Sequence, residues 1–88
     1  MSAGKVYENN GELVLAARTY RDGKCYADAI RCFSQEGDKQ GTARVYERMQ
    51  EFDKALAIWQ ELGKTKEISR VLRKKNKEMA KEAQLTLF

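Results

Sequence analysis

Histidine and proline are absent from this 88-residue chain, cysteine occurs twice, and no apolar run is long. Without histidine the chain lacks the commonest general base, the serine and cysteine triads built on it, and most mixed zinc sites. Cys25 and Cys32 are seven positions apart, which is neither the spacing of a zinc knuckle nor that of a redox pair. On a helix that separation is a rise of about 10 Å, beyond the about 7 Å between Cα atoms that a disulfide spans, so both are expected as reduced, small apolar packers. The six glycines fall singly, so there is no phosphate-cradling loop, and no carboxylate pair is isolated in apolar surroundings. Nothing approaches the about 20 apolar residues of a membrane span, and Met1 to Lys5 opens onto no signal-peptide core. The expectation is a soluble, cytoplasmic, non-catalytic chain with no cofactor, no metal, no small-molecule substrate and no membrane partner.

What is present repeats. Displaced by 26 residues, Ala17, Arg18, Tyr20, Tyr26, Ala29, Ile30, Phe33 and Gly37 fall on Ala43, Arg44, Tyr46, Phe52, Ala55, Leu56, Trp59 and Gly63. A third, partial copy places Ser69, Arg70, Val71 and Leu72 on Ala43, Arg44, Val45 and Tyr46. Tyr7 and Gly11 match Phe33 and Gly37, so the chain reads as starting partway through a unit.

Each unit reads as two short helices. Ala43, Val45, Tyr46 and Met49 make one apolar stripe, and Ala55, Leu56, Ile58, Trp59 and Leu62 make the facing one. Gly11, Gly37 and Gly63 follow the second helices, where a left-handed residue satisfies unpaired helix carbonyls. Gly23 and Lys24 occupy the tight turn within the first hairpin, as Met49 and Gln50 do in the second. Small Ala17, Ala29, Ala43 and Ala55 allow close helix approach, and the aromatics Tyr20, Phe33, Tyr46 and Trp59 fill the space between units.

The segments Tyr20-Arg-Asp-Gly-Lys-Cys-Tyr26-Ala-Asp-Ala29-Ile-Arg-Cys-Phe33 and Tyr46-Glu-Arg-Met-Gln-Glu-Phe52-Asp-Lys-Ala55-Leu-Ala-Ile-Trp59 resemble the centre of a tetratricopeptide repeat. That family uses about 34 residues per unit, so the 26-residue unit is a departure. The resemblance implies an all-α, right-handed α-hairpin solenoid of five to six short helices. Residues 1–77 would form the repeats, with 12–37 as unit one, 38–63 as unit two and 64–77 as a partial unit, and 78–88 would be a basic tail.

Charge is unevenly placed. The chain carries 17 Lys plus Arg against 13 Asp plus Glu, and residues 64–88 hold 8 of the cations with only 3 of the anions. Arg70, Arg73, Lys74, Lys75 and Lys77 crowd the last amphipathic helix, whose apolar side is Ile68, Val71 and Leu72; such a cluster suits nucleic-acid phosphate or a solvated cap. Arg18, Arg44 and Arg70 recur every 26 residues, at positions resembling those lining the concave groove of tetratricopeptide solenoids. Arg21, Arg48, Arg73 and Lys74 follow one turn on, so the groove would present a basic stripe to DNA or an acidic peptide, with Asp22 and Glu47 neutralising part of it.

The chain closes on Gln84-Leu85-Thr86-Leu87-Phe88. This pentapeptide closely resembles the bacterial sliding-clamp-binding motif, Gln-Leu-Ser/Asp-Leu-Phe, matching four of five positions. The resemblance implies Leu87 and Phe88 in an apolar pocket of the clamp, Gln84 hydrogen-bonded at its rim and Leu85 adding contact. The alternative is a terminal helix whose Leu85 and Phe88 cover the repeat core. With the half-unit at the start, the expectation is the C-terminal domain of a bacterial or phage DNA replication or repair protein, helicase-like, tethered to the clamp. The rival expectations are a peptide-binding adaptor using the basic groove, and direct nucleic-acid binding through the basic last helix.

Overall fold

The computed structural model describes residues 3–86, with side-chain surroundings through residue 78. The described chain is all-α, in six helices: α1 Ala3–Asn9, α2 Leu13–Asp22, α3 Tyr26–Glu36, α4 Lys39–Arg48, α5 Phe52–Leu62 and α6 Thr65–Thr86. Each packs chiefly on its neighbours in the chain, α1 on α2, α2 on α3 and so on to α5 on α6. No helix among the described residues is long and apolar enough to cross a membrane.

The links between helices repeat along with the residues. Gly11, Gly37 and Gly63 take φ of 77°, 73° and 69°, a region that a Cβ penalises. The residue after each then donates its backbone N–H to the carbonyl five positions back: Glu12 to Tyr7 (2.9 Å), Asp38 to Phe33 (2.9 Å) and Lys64 to Trp59 (2.9 Å). This arrangement closes the helix end by satisfying its last carbonyls. The turns inside the hairpins use the same device without glycine at the left-handed position. Lys24 and Gln50 adopt φ of 64° and 62°, and Cys25 and Glu51 donate to Tyr20 (2.7 Å) and Tyr46 (2.9 Å). Asp38 starts α4 by accepting from the Gly41 amide at 3.0 Å, the usual service of an aspartate before a first turn.

Two core clusters result. Ala16, Ala17, Tyr20, Ala29, Cys32, Phe33 and Val45 form the first, and Ala43, Ala55, Leu56, Trp59 and Val71 the second. α4 serves both, turning Val45 to one and Ala43 to the other. Gly41 is buried because the Phe33 ring lies where its Cβ would be, with Cδ1 2.5 Å from that point.

Four details differ from the expectations. Met49 and Leu72 are exposed: Met49 is the cap just outside the end of α4, and Leu72, unlike its neighbour Val71, is no part of the second core cluster. Cys25 is exposed at the start of α3, whereas Cys32 is buried, so only Cys32 packs in the core; both thiols are free. Last, α6 runs unbroken through Lys77, where the repeat pattern fades, and is not a short helix. The stretch Lys77-Glu-Met-Ala-Lys-Glu-Ala83 consists mostly of strong helix formers, with neither glycine nor proline to stop it.

Candidate functional site

α2, α4 and α6 are the first-type helices of successive units, and along them lies a polar cavity of about 370 Å³ lined by Arg21, Arg44, Glu47, Arg48, Arg70 and Lys74. The helices place these side chains by period. Arg44 and Arg48, and likewise Arg70 and Lys74, are four apart and so share a face one turn above the other.

Glu47 organises the centre. Its side chain is 5% exposed, yet it is a charged group inside a basic cavity. Its Oε2 accepts a hydrogen bond from the Trp59 indole Nε1 at 3.0 Å and another from Arg70 Nη2 at 3.0 Å, while Lys74 Nζ lies 3.6 Å from Oε1. A buried carboxylate is tolerated when charged donors satisfy it in this way. Glu47 thus neutralises part of the stripe, as its position suggests, and also draws Arg70 and Lys74 toward α4.

The remaining cations are less engaged. Arg44 and Arg48 have no ion-pair partner among the described residues, and Arg21 has only its chain neighbour Asp22, at 3.4 Å. The register explains this. Arg70 on α6 reaches back to Glu47 on α4, but Arg44 on α4 finds Arg21 at the equivalent place on α2.

Of the anticipated arginine ladder, the structure brings Arg44 and Arg70 together and leaves Arg18 out. Arg18 is exposed and lines no part of the cavity, because α2 contributes its last turn, through Arg21, rather than the turn that carries Arg18. Arg73 lines a second, shallower depression with Thr65, Lys66, Ser69 and Arg70, which adjoins the first through the shared Arg70. Lys75 turns elsewhere, to Asp53 at 2.6 Å. Lys77 is exposed. Gln84 and Leu85 fall on the last turn of α6, and Leu87 and Phe88 lie outside the described residues.

The Trp59–Glu47 hydrogen bond was missed by pattern reading, although a signal was available. Unit one has Phe33 and Arg21 where unit two has Trp59 and Glu47, so an N–H donor and an acceptor enter together. A second network lies at the other end of the molecule. Glu8 accepts from the Tyr20 hydroxyl (2.9 Å) and pairs with Arg31 through both guanidinium nitrogens, and Arg31 also meets Asp28 at 3.3 Å. The Arg31 and Tyr20 hydrogen bonds hold the Glu8 carboxyl down at about 2, and burial together with the bond to Glu8 pushes the Tyr20 phenol up. This network ties α1 to α2 and α3 and borders no cavity containing Arg44 or Arg70.

Among the described residues no group of three histidine, cysteine, aspartate or glutamate side chains is placed to hold a metal ion. No family model matches the chain, and neither curated proteins nor solved structures give a match.

Proposed function

We propose that the chain is a non-catalytic protein-interaction module, a right-handed α-hairpin solenoid of tetratricopeptide-like units that tethers a bacterial or phage DNA replication or repair protein, such as a helicase, to the sliding clamp. The observation that carries the tether is the terminal Gln84-Leu85-Thr86-Leu87-Phe88, which matches the clamp-binding pattern at four of five positions. The repeated turn geometry and the neighbour-to-neighbour packing support the repeat reading. The cytoplasm is the compartment this role requires.

The test is binding of the purified chain to a bacterial sliding clamp, by calorimetry or fluorescence anisotropy, with and without Gln84 to Phe88. Binding that disappears with the pentapeptide supports the tether. Binding that survives the deletion, or none to several clamps, overturns it.

A second reading is favoured by the cavity around Glu47, in which the basic groove rather than the tail does the recognising. It expects charge reversal at Arg44 and Arg70 to abolish partner binding and deletion of the pentapeptide to leave it intact.

A further inference from the structure

Two adjoining depressions share Arg70, and their linings are almost entirely cationic or hydroxylic. The first offers Arg21, Arg44, Arg48, Arg70 and Lys74 around the single carboxylate of Glu47, and the second adds Lys66 and Arg73 with the hydroxyls of Thr65 and Ser69. The carboxylate is already occupied by Trp59, Arg70 and Lys74, which leaves the Arg44 and Arg48 guanidinium donors open to a ligand. Guanidinium groups bind phosphate oxygens in pairs of parallel hydrogen bonds, and hydroxyls complete such contacts.

We propose that these joined depressions form a docking track for the phosphodiester backbone of nucleic acid, read without regard to base sequence. The proposal rests on taking the basic groove as a binding face, and is independent of the clamp tether. Three observations select this ligand. A track of two depressions suits an anion that repeats along a chain better than one isolated charge. Among the described residues no apolar side chain lines either depression, whereas a peptide ligand gains its affinity from apolar anchors seated in pockets. Nor does an aromatic side chain among the described residues line them, so these offer no platform for stacking bases, and affinity comes from charge and released counterions.

The test uses the full 88-residue chain and fluorescence anisotropy with a labelled mixed-sequence single strand and its duplex, the two sources of the same backbone. At least one form is expected to bind, with log K falling linearly against log salt. About four phosphate contacts on a single strand give a slope near −3, a loss of about 50-fold between 50 and 200 mM NaCl. The double change Arg44→Gln/Arg48→Gln should weaken binding by about 10-fold at low salt and flatten the slope by about 1.4. Lys5→Gln/Lys39→Gln removes the same charge from residues outside both depressions and should change affinity less than about 2-fold. Arg44 and Arg48 are exposed, and an unchanged circular dichroism melt verifies the fold. Deletion of Gln84 to Phe88 should leave nucleic-acid binding intact.

Absence of binding by both strand forms at 50 mM salt overturns the proposal, as does equal loss in the two double variants. Poly-glutamate is the remaining arm. If it binds where nucleic acid does not, the groove reading stands and the phosphodiester assignment falls; if neither binds, both fall.

Discussion

Glu47 gives the most direct test of how the groove is built. Replacing it with alanine leaves the Trp59 N–H, on a residue only 1% exposed, without its acceptor, a loss of about 1–3 kcal/mol. The hydrogen bond to Arg70 and the ion pair with Lys74 go as well, but those side chains are 46% and 52% exposed, so solvent screening limits their share to at most about 1 kcal/mol. The sum for Glu47→Ala is about 1–4 kcal/mol, or a fall in melting temperature of about 4–30 °C for a domain of this size. Glu47→Gln keeps an amide oxygen for the indole and loses only the charge, so it should cost about 1 kcal/mol. Urea unfolding measures both, and Trp59, the chain's single tryptophan, reports on its own hydrogen bond through its fluorescence. A loss below about 0.5 kcal/mol in Glu47→Ala would refute the hydrogen bond as drawn. Equal losses in the two variants would assign the effect to the ion pairs instead.

Four further outcomes are expected. Trp59→Ala should cost about 3–5 kcal/mol by urea unfolding followed by circular dichroism, because the indole is almost wholly buried in the second core cluster. Gly41→Ala should destabilise by about 1–2 kcal/mol despite its better helix propensity, since the new methyl meets the Phe33 ring; a stabilised variant would show that the ring moves aside freely. Gln50→Gly should stabilise by about 0.5–1 kcal/mol, because Gln50 holds a left-handed backbone that glycine adopts without strain. The last outcome concerns acid. The folded Glu8 carboxyl sits near 2, below its ordinary 4.5, so its contribution is present above about 4.5 and fades as pH falls toward 2. Thermal melts across that range should fall more steeply for the wild type than for Glu8→Gln, and parallel curves would contradict the Arg31 and Tyr20 contacts.

The helical content was legible because apolar positions recur with helical period and because small and aromatic residues recur every 26 positions. The helix ends at Gly37 and Gly63 were legible for a chemical reason, as few other residues take a positive φ without strain. The inner turns were harder. There the left-handed residues are Lys24 and Gln50, which carry no glycine mark, and Gly23 keeps an ordinary φ beside one of them. In the groove, Arg44, Arg70 and Lys74 followed from register alone. The exclusion of Arg18 and the diversion of Lys75 to Asp53 did not, since each depends on which helix packs beside it and which carboxylate lies within reach. Glu47 was visible only as a neutralising charge. Its bond to Trp59 joins residues on different helices, a pairing that single-helix periodicity does not encode.

α4 faces both core clusters, offering Val45 to one side and Ala43 to the other. It is therefore the seam through which the two halves sense each other's folding. Opening at either end leaves α4 still held by the opposite cluster, so fraying from α1 or from α6 should stop there rather than sweep through the chain. Backbone amides of α4 are then the last to exchange with solvent, and a lesion in this one helix would release both halves at once.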